Sequence, residues 1–355
     1  MVRFSFTTGG VFMKLNLSQI KDITLGAARI EEIEGGIHFY RFTKEQEELY
    51  RDLTLGLYKK HSKDPYTKTF CTSGVQMRFR TDSQSLFLNV DVEKGSTRRY
   101  FSVEVFVNGE RLDAIKNFSE EELIGNFTKW DFSLGSFSKS FDLGEGEKEV
   151  RIYFPWSVNA ILKEFALDDG AFITPIKPKK QLLCFGDSIS HGYDVLYPSN
   201  KYLTKLADIL DAEEHNKAIG GEVYFPELAK TREDFEPDYI IVEYGSNDWN
   251  KCTREELTQN CRGFLCNVSH TYPNAKIFAT TPIWRKDMHK ETLFGDFMDV
   301  EEVIREQAVG LENISVIRGF EFVPQDETLF SDLRLHPSDK GYEYFLENLL
   351  KGMKL

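Results

Sequence analysis

The chain is poor in cysteine, short of positive charge and without a long apolar run, and each shortage removes a class of protein. Its five cysteines, Cys71, Cys184, Cys252, Cys261 and Cys266, form an odd set without paired CxxC spacing. Neither a disulfide framework nor a zinc site is indicated; free thiols and no bound metal or cofactor are expected. No stretch approaches the roughly 18 apolar residues of a membrane span, and the N-terminal MVRFSFTTGGVFMKLN lacks a sustained signal-peptide core. A soluble, cytoplasmic protein without a membrane partner is expected. Met13, followed by KLNL, offers an alternative start that would make residues 1 to 12 an upstream extension. Lys and Arg number 44 against 57 Asp and Glu, a formal charge of -13, which opposes polyanion binding and argues against a nucleic-acid partner. Internal repeats and low-complexity segments are also absent.

What is present suffices for two globular units: 355 residues, 41% of them hydrophobic. From about Gln76 to Ile173 apolar residues alternate in SLFLNVDVE, YFSVEVFVNGERL, KWDFSLG, EVRIYF and LKEFALDDG, separated by Gly-containing turns, the pattern of an antiparallel β-sandwich. The Asn-Gly inside VNGE is a hairpin signal. Before the sheet, Thr43 and Gln46 have capping-box spacing, and Leu49 and Leu53 recur at helical spacing, so one short helix is expected to interrupt the strands. After the proline-containing linker Thr174-Pro-Ile-Lys-Pro-Lys-Lys the rhythm changes. Strands are expected at Leu182 to Phe185, Glu214 to Ile219, Tyr239 to Tyr244, Lys276 to Thr280 and Ile314 to Ile317, with helices between most of them. One helix starts at Thr253, with Glu256 completing a capping box and Leu257, Cys261, Phe264, Leu265 and Val268 on its apolar face. Alternating strands and helices predict a parallel sheet covered on both faces, with its ligand crevice at the carboxyl ends of the strands. The expected domains are residues 1–175 and 180–355.

Four short blocks fall at those strand ends. Gly186-Asp187-Ser188-Ile189 sets a serine in the first turn after an apolar run, where a base can activate it and its own N–H can face a developing oxyanion. Gly-Asp-Ser also suits an ordinary strand-to-helix cap. Asn216 to Gly221, NKAIGG, ends on a glycine whose N–H a ligand can approach closely. Gly245-Ser246-Asn247-Asp248 follows YIIVEY and brings a side-chain amide. Ser331 to Gly341, SDLRLHPSDKG, supplies His336, and histidine, whose unperturbed pKa lies near neutrality, is the usual acceptor of a serine proton.

In this order, the blocks resemble those of the SGNH hydrolases, the GDSL family of esterases and lipases. The resemblance covers residues 180 to 355 and implies a three-layer α/β/α, flavodoxin-like parallel sheet, here preceded by an all-β, jelly-roll-like sandwich. It implies Ser188 as nucleophile, His336 as base, and the Ser188 N–H, Gly221 and Asn247 as oxyanion donors. One departure stands out. The family spaces its acid as Asp-x-x-His, but Leu333 stands three residues before His336 and Asp332 four. Either the loop bulges by one residue and Asp332 still reaches the imidazole, or another group, such as a backbone carbonyl, orients it; Asp326 and Glu327 are weaker candidates. Asp187 is expected to orient the turn or Asn247, and His191 to contact substrate or serve structure.

A sandwich joined to an SGNH unit looks like the arrangement of some carbohydrate esterases that remove acetyl groups. Trp249 and Trp284 are candidates for stacking on a sugar at the crevice rim, and Arg285 for holding a polar substrate or pairing with a carboxylate. No long apolar lid segment is evident. The expected function is a serine esterase of small acyl, first of all acetyl, esters on a carbohydrate or polyol, with a small-molecule or oligosaccharide ester as substrate. The alternatives are an acyltransferase using the same acyl-enzyme and a non-catalytic glycan-binding protein.

Overall fold

The computed structural model describes residues 12–355 except 58–60, 126, 128, 130 and 131. Two antiparallel sheets form first. One runs in the order Arg29–Ile33, Gly36–Tyr40, Val158–Asp168, Ser85–Lys94, Gly135–Asp142, with Phe12–Lys14 also paired to Val158–Asp168. The other runs Thr174–Pro175, Gln76–Thr81, Lys148–Tyr153, Ser102–Val107, Glu110–Lys116, with Thr24–Leu25 on Gln76–Thr81. Period-two patterning explains how they meet: Leu86, Leu88, Val90 and Val92 of one sheet and Met77, Phe79, Val103, Val105, Val150 and Ile152 of the other share one buried core. The Asn-Gly hairpin is present, with Asn108 and Gly109 both at positive φ, as a twist-matched two-residue turn requires.

Within the part expected to form the sandwich, residues 1–175, alternation is legible in the sequence only from about Gln76, whereas strands already begin at Phe12. Those early strands are two to five residues long, too short for their alternation to register. The KWDFSLG run falls partly on Trp130 and Asp131, outside the described residues. The helix begun by Thr43 is present as Lys44–Asp52, with the Thr43–Gln46 capping box closed in both directions.

The second unit carries a five-stranded parallel sheet in the order Ala212–Asn216, Lys180–Gly186, Tyr239–Glu243, Lys276–Thr280, Ile314–Ile317. The strand Lys180–Gly186 carries the unbroken apolar run Leu182–Phe185 because both of its faces are buried there. Leu182 and Cys184 pack with helices Tyr202–Leu210 and Asp339–Met353, while Leu183 and Phe185 pack with helices Arg254–Thr271 and Asp299–Ala308. This is the expected α/β/α layering. The strand expected at Glu214 to Ile219 instead spans Ala212–Asn216. Beyond it, the buried Arg41 guanidinium donates to the carbonyls of Asn216 and Ala218 at 2.5 and 3.3 Å and holds the loop that follows. All five cysteines are free thiols. Among the described residues no helix is long and apolar enough to cross a membrane.

Candidate active site

The ends of the parallel strands converge on one crevice of 540 Å³, lined among others by Ser188, Gly221, Asn247, Asp332 and His336. A larger groove of 940 Å³, at Arg78, Arg151, Asp208 and Asp211, contains none of the four motif residues. Ser188 opens the one-turn helix Ser188–His191 immediately beyond the strand Lys180–Gly186. Asp187 fixes that turn: its Oδ1 accepts the Ile189 N–H at 3.0 Å and its Oδ2 accepts Asn247 Nδ2 at 2.8 Å. Asp187 therefore orients both the serine turn and the amide, leaving the second amide hydrogen of Asn247 for the crevice.

The glycine pair is required by shape. A Cβ on Gly220 would lie 2.3 Å from the Tyr193 ring, and Gly221 has φ +84°. Gly220 N–H donates to His191 Nδ1 at 3.2 Å, and His191 Nε2 faces the Trp156 carbonyl at 2.9 Å. His191 is fully buried, and burial first, then the cations Arg41, Lys68 and Lys201, keep it neutral. It braces the glycine loop. Among the described residues neither the Ser188 nor the Gly221 N–H donates to a protein acceptor.

His336 Nε2 lies 3.0 Å from Ser188 Oγ. Its Nδ1 lies between two carboxylates, 3.1 Å from Asp332 Oδ2 and 2.9 Å from Asp194 Oδ2. Neither is aligned as a regular hydrogen bond, so the two acids flank the N–H rather than one capturing it. The question left by the spacing is thereby answered. Leu333 adopts a left-handed conformation at φ +53°, and this one-residue bulge lets Asp332 reach back. Asp332 Oδ1 secures the bulge by accepting the N–H groups of Arg334, Leu335 and His336 at 3.0, 2.7 and 3.0 Å. Asp326 caps Thr328 and Glu327 pairs with Lys286, away from the imidazole.

Asp194 was missed. It stands in the loop after the serine helix, also at positive φ, and its position beside His336 arises only from folding. Arg98, from the sandwich side, grips it with two bonds of 2.6 and 2.8 Å. Burial alone would lower the His336 pKa, but the Asp194 and Asp332 carboxylates outweigh it and raise it to about 9. Both carboxylates are in turn held below their ordinary range: burial opposes this, and the imidazole, with Arg98 for Asp194 and the loop N–H groups for Asp332, overcomes it. Ligand-capable atoms of Asp194, Asp332 and His336 lie within 4.8 Å of one another. Asp194 is already bonded to Arg98 and His336 faces Ser188, so the donor set fits an oriented base better than a cation site.

Both tryptophan readings need correction. Trp249 is 0% exposed, its indole N–H donating to the Gly295 carbonyl at 2.9 Å and its ring packed on Phe297. It turns into the core because its helix, Ser246–Lys251, presents Asn247 to the crevice instead. Trp284 is half-buried against Phe330 and does not line the crevice. Arg285 lines it but is held by both oxygens of Asp287, at 2.6 and 3.0 Å.

Residues 184–344 match the GDSL-like lipase/acylhydrolase family. The class is that of the SGNH/GDSL-type ester hydrolases, the assignment that the four blocks carried. Across solved structures the whole chain is similar to a salicylyl-acyltransferase from a tetracycline biosynthetic pathway, 19% identical with 93% of each chain covered and a TM-score of 0.74. It is also similar to a Bacteroides ovatus protein named as GDSL-like lipase, 17% identical, covering 97% of this chain and 98% of that one, TM-score 0.72. A family two carbohydrate esterase from Cellvibrio japonicus is 14% identical, with 98% of each chain covered and a TM-score of 0.64. These likenesses extend the shared fold over the sandwich as well as the parallel sheet. No curated protein matches the chain.

Proposed function

We propose that the protein is a serine esterase of small acyl esters, acetyl first, that works through an acyl-enzyme on Ser188. The observation that carries this reading is the 3.0 Å approach of His336 Nε2 to Ser188 Oγ with Nδ1 flanked by two carboxylates. In the first half-reaction His336 takes the serine proton, Oγ bonds the ester carbonyl carbon, and the alcohol leaves with the proton from the imidazolium. In the second, water attacks, gives a proton to His336, and the acid departs as Ser188 recovers it. The Ser188 and Gly221 N–H groups and the free Asn247 amide hydrogen are the donors to the oxyanion. Asp332 and Asp194 orient the imidazole and stabilise its charged form. The division at residues 175 and 180 is supported by the absence, among the described residues, of strands shared between the two parts, although Arg41 and Arg98 bind them together at the site.

A carbohydrate or polyol as the alcohol is supported by the family two carbohydrate esterase fold; the buried Trp249 removes one expected sugar contact. Transfer of the acyl group to an alcohol instead of water is favoured by the full-length likeness to an acyltransferase. The test is release of nitrophenol from 4-nitrophenyl acetate by the native protein and by Ser188→Ala. Loss of release in the variant is expected; no Ser188-dependent release overturns the proposal. Repeating the reaction with an alcohol or sugar acceptor, and looking for the transferred acyl product, separates transfer from hydrolysis.

A further inference from the structure

The crevice has the opposite charge to the chain. The protein carries a formal -13, yet of the seventeen residues lining the crevice six are Lys or Arg and only Asp332 is acidic. Three of the six are spoken for: Arg98 by Asp194, and Arg285 and Arg334 by Asp287. The remainder are Lys63, Lys68 and Lys251.

Lys68 and Lys251 reach the same point from opposite sides. Lys68 belongs to helix Pro65–Thr69 on the sandwich side, and its Nζ donates to Gly220 O at 2.8 Å and to Ser62 Oγ at 2.5 Å. Lys251 lies one helical turn beyond Asn247 on helix Ser246–Lys251, and its Nζ donates to Gly221 O. Two ammonium groups thus hold the consecutive carbonyls of Gly220 and Gly221. Among the described residues neither has a carboxylate within 4.0 Å. The buried Glu222 is bonded to His61 and to the Val223 N–H. Lys68 is 6% exposed. A buried ammonium satisfied only by neutral oxygens is costly, and burial, only partly offset by Glu222, lowers its pKa to about 8. A fixed anion beside it would recover that cost.

We propose that this esterase site selects an ester bearing a carboxylate or comparable anionic group, bound by Lys68 and Lys251 beside the Gly220–Gly221 loop. The inference rests on the esterase reading and narrows it to acidic substrates. It also gives the sandwich a role in the site, since Lys68 closes the crevice from that side.

Matched esters test it. On the acyl side, 4-nitrophenyl hemiglutarate is compared with 4-nitrophenyl pentanoate; on the alcohol side, an acetylated methyl glucuronoside is compared with its acetylated methyl glucoside. A preference in kcat/KM of about tenfold or more for the charged member of at least one pair is expected, falling with added salt and collapsing towards unity in Lys251→Gln and Lys68→Gln. The pair that shows it tells which side of the ester carries the anion. Equal turnover within both pairs overturns the anion site and leaves the esterase reading standing. If no ester is turned over, calorimetry of the same compounds on Ser188→Ala decides: tighter binding of the charged member, lost in Lys251→Gln, supports the anion site, and equal or absent binding overturns it. Lys251 is partly exposed, so its variant decides the matter should Lys68→Gln unfold.

Discussion

Asp332→Asn tests the electrostatics of the site directly. Burial lowers the His336 pKa, but Asp194 and Asp332 outweigh it and raise the value to about 9, so the imidazole is in its basic form in only about one molecule in a hundred at pH 7. The base form rises with pH, so kcat/KM on a neutral ester is expected to climb about tenfold per pH unit through neutrality and to level near pH 9. Raising a pKa from 6.5 to about 9 corresponds to about 3 kcal/mol of stabilisation of the imidazolium, shared here between two carboxylates at 2.9 and 3.1 Å. Neutralising one of them is expected to lower the acid limb by about one pH unit or more. The high-pH plateau should fall by only about tenfold, because Asp194 still flanks Nδ1. The assay is a pH profile of kcat/KM on 4-nitrophenyl acetate, with the imidazole titrated in parallel by NMR. A native acid limb below pH 7, or a limb unmoved in Asp332→Asn, refutes the two-carboxylate account.

Arg98→Ala leaves the buried Asp194 carboxylate without its guanidinium; a loss of about 3 kcal/mol in denaturant unfolding and an acid limb moved to higher pH are expected. Leu333→Gly should keep activity and leave stability unchanged or raised by up to about 1 kcal/mol, because the side chain is 55% exposed and its backbone is left-handed, whereas Leu333→Pro should abolish activity by forbidding the bulge. Trp249→Ala should cost about 3 to 5 kcal/mol in thermal or denaturant unfolding, with KM for a sugar ester no more affected than for an aryl ester. Asn247→Ala should lower kcat by about a hundredfold or more with little change in KM; a melting temperature near that of the native protein separates this from loss of the Asp187 contact.

Local chemistry alone determined a good deal. Capping boxes at Thr43 and Thr253, the Asn-Gly hairpin, the Leu182–Phe185 run and the positions of Ser188, Gly221, Asn247 and His336 at strand ends depend on neighbours a few residues away, and such short-range constraints are written along the chain. The strands before Gln76 were not legible, being too brief to show a period. Trp249 was misread for a related reason: one residue beyond Asn247–Asp248, only the direction of a short helix decides whether a side chain enters the crevice or the core. The partners of His336 lay furthest from view. Asp332 needed a left-handed Leu333, and Asp194, Arg98 and Lys68 needed chain segments distant in sequence to meet, because charges act through space and only the folded backbone sets those distances.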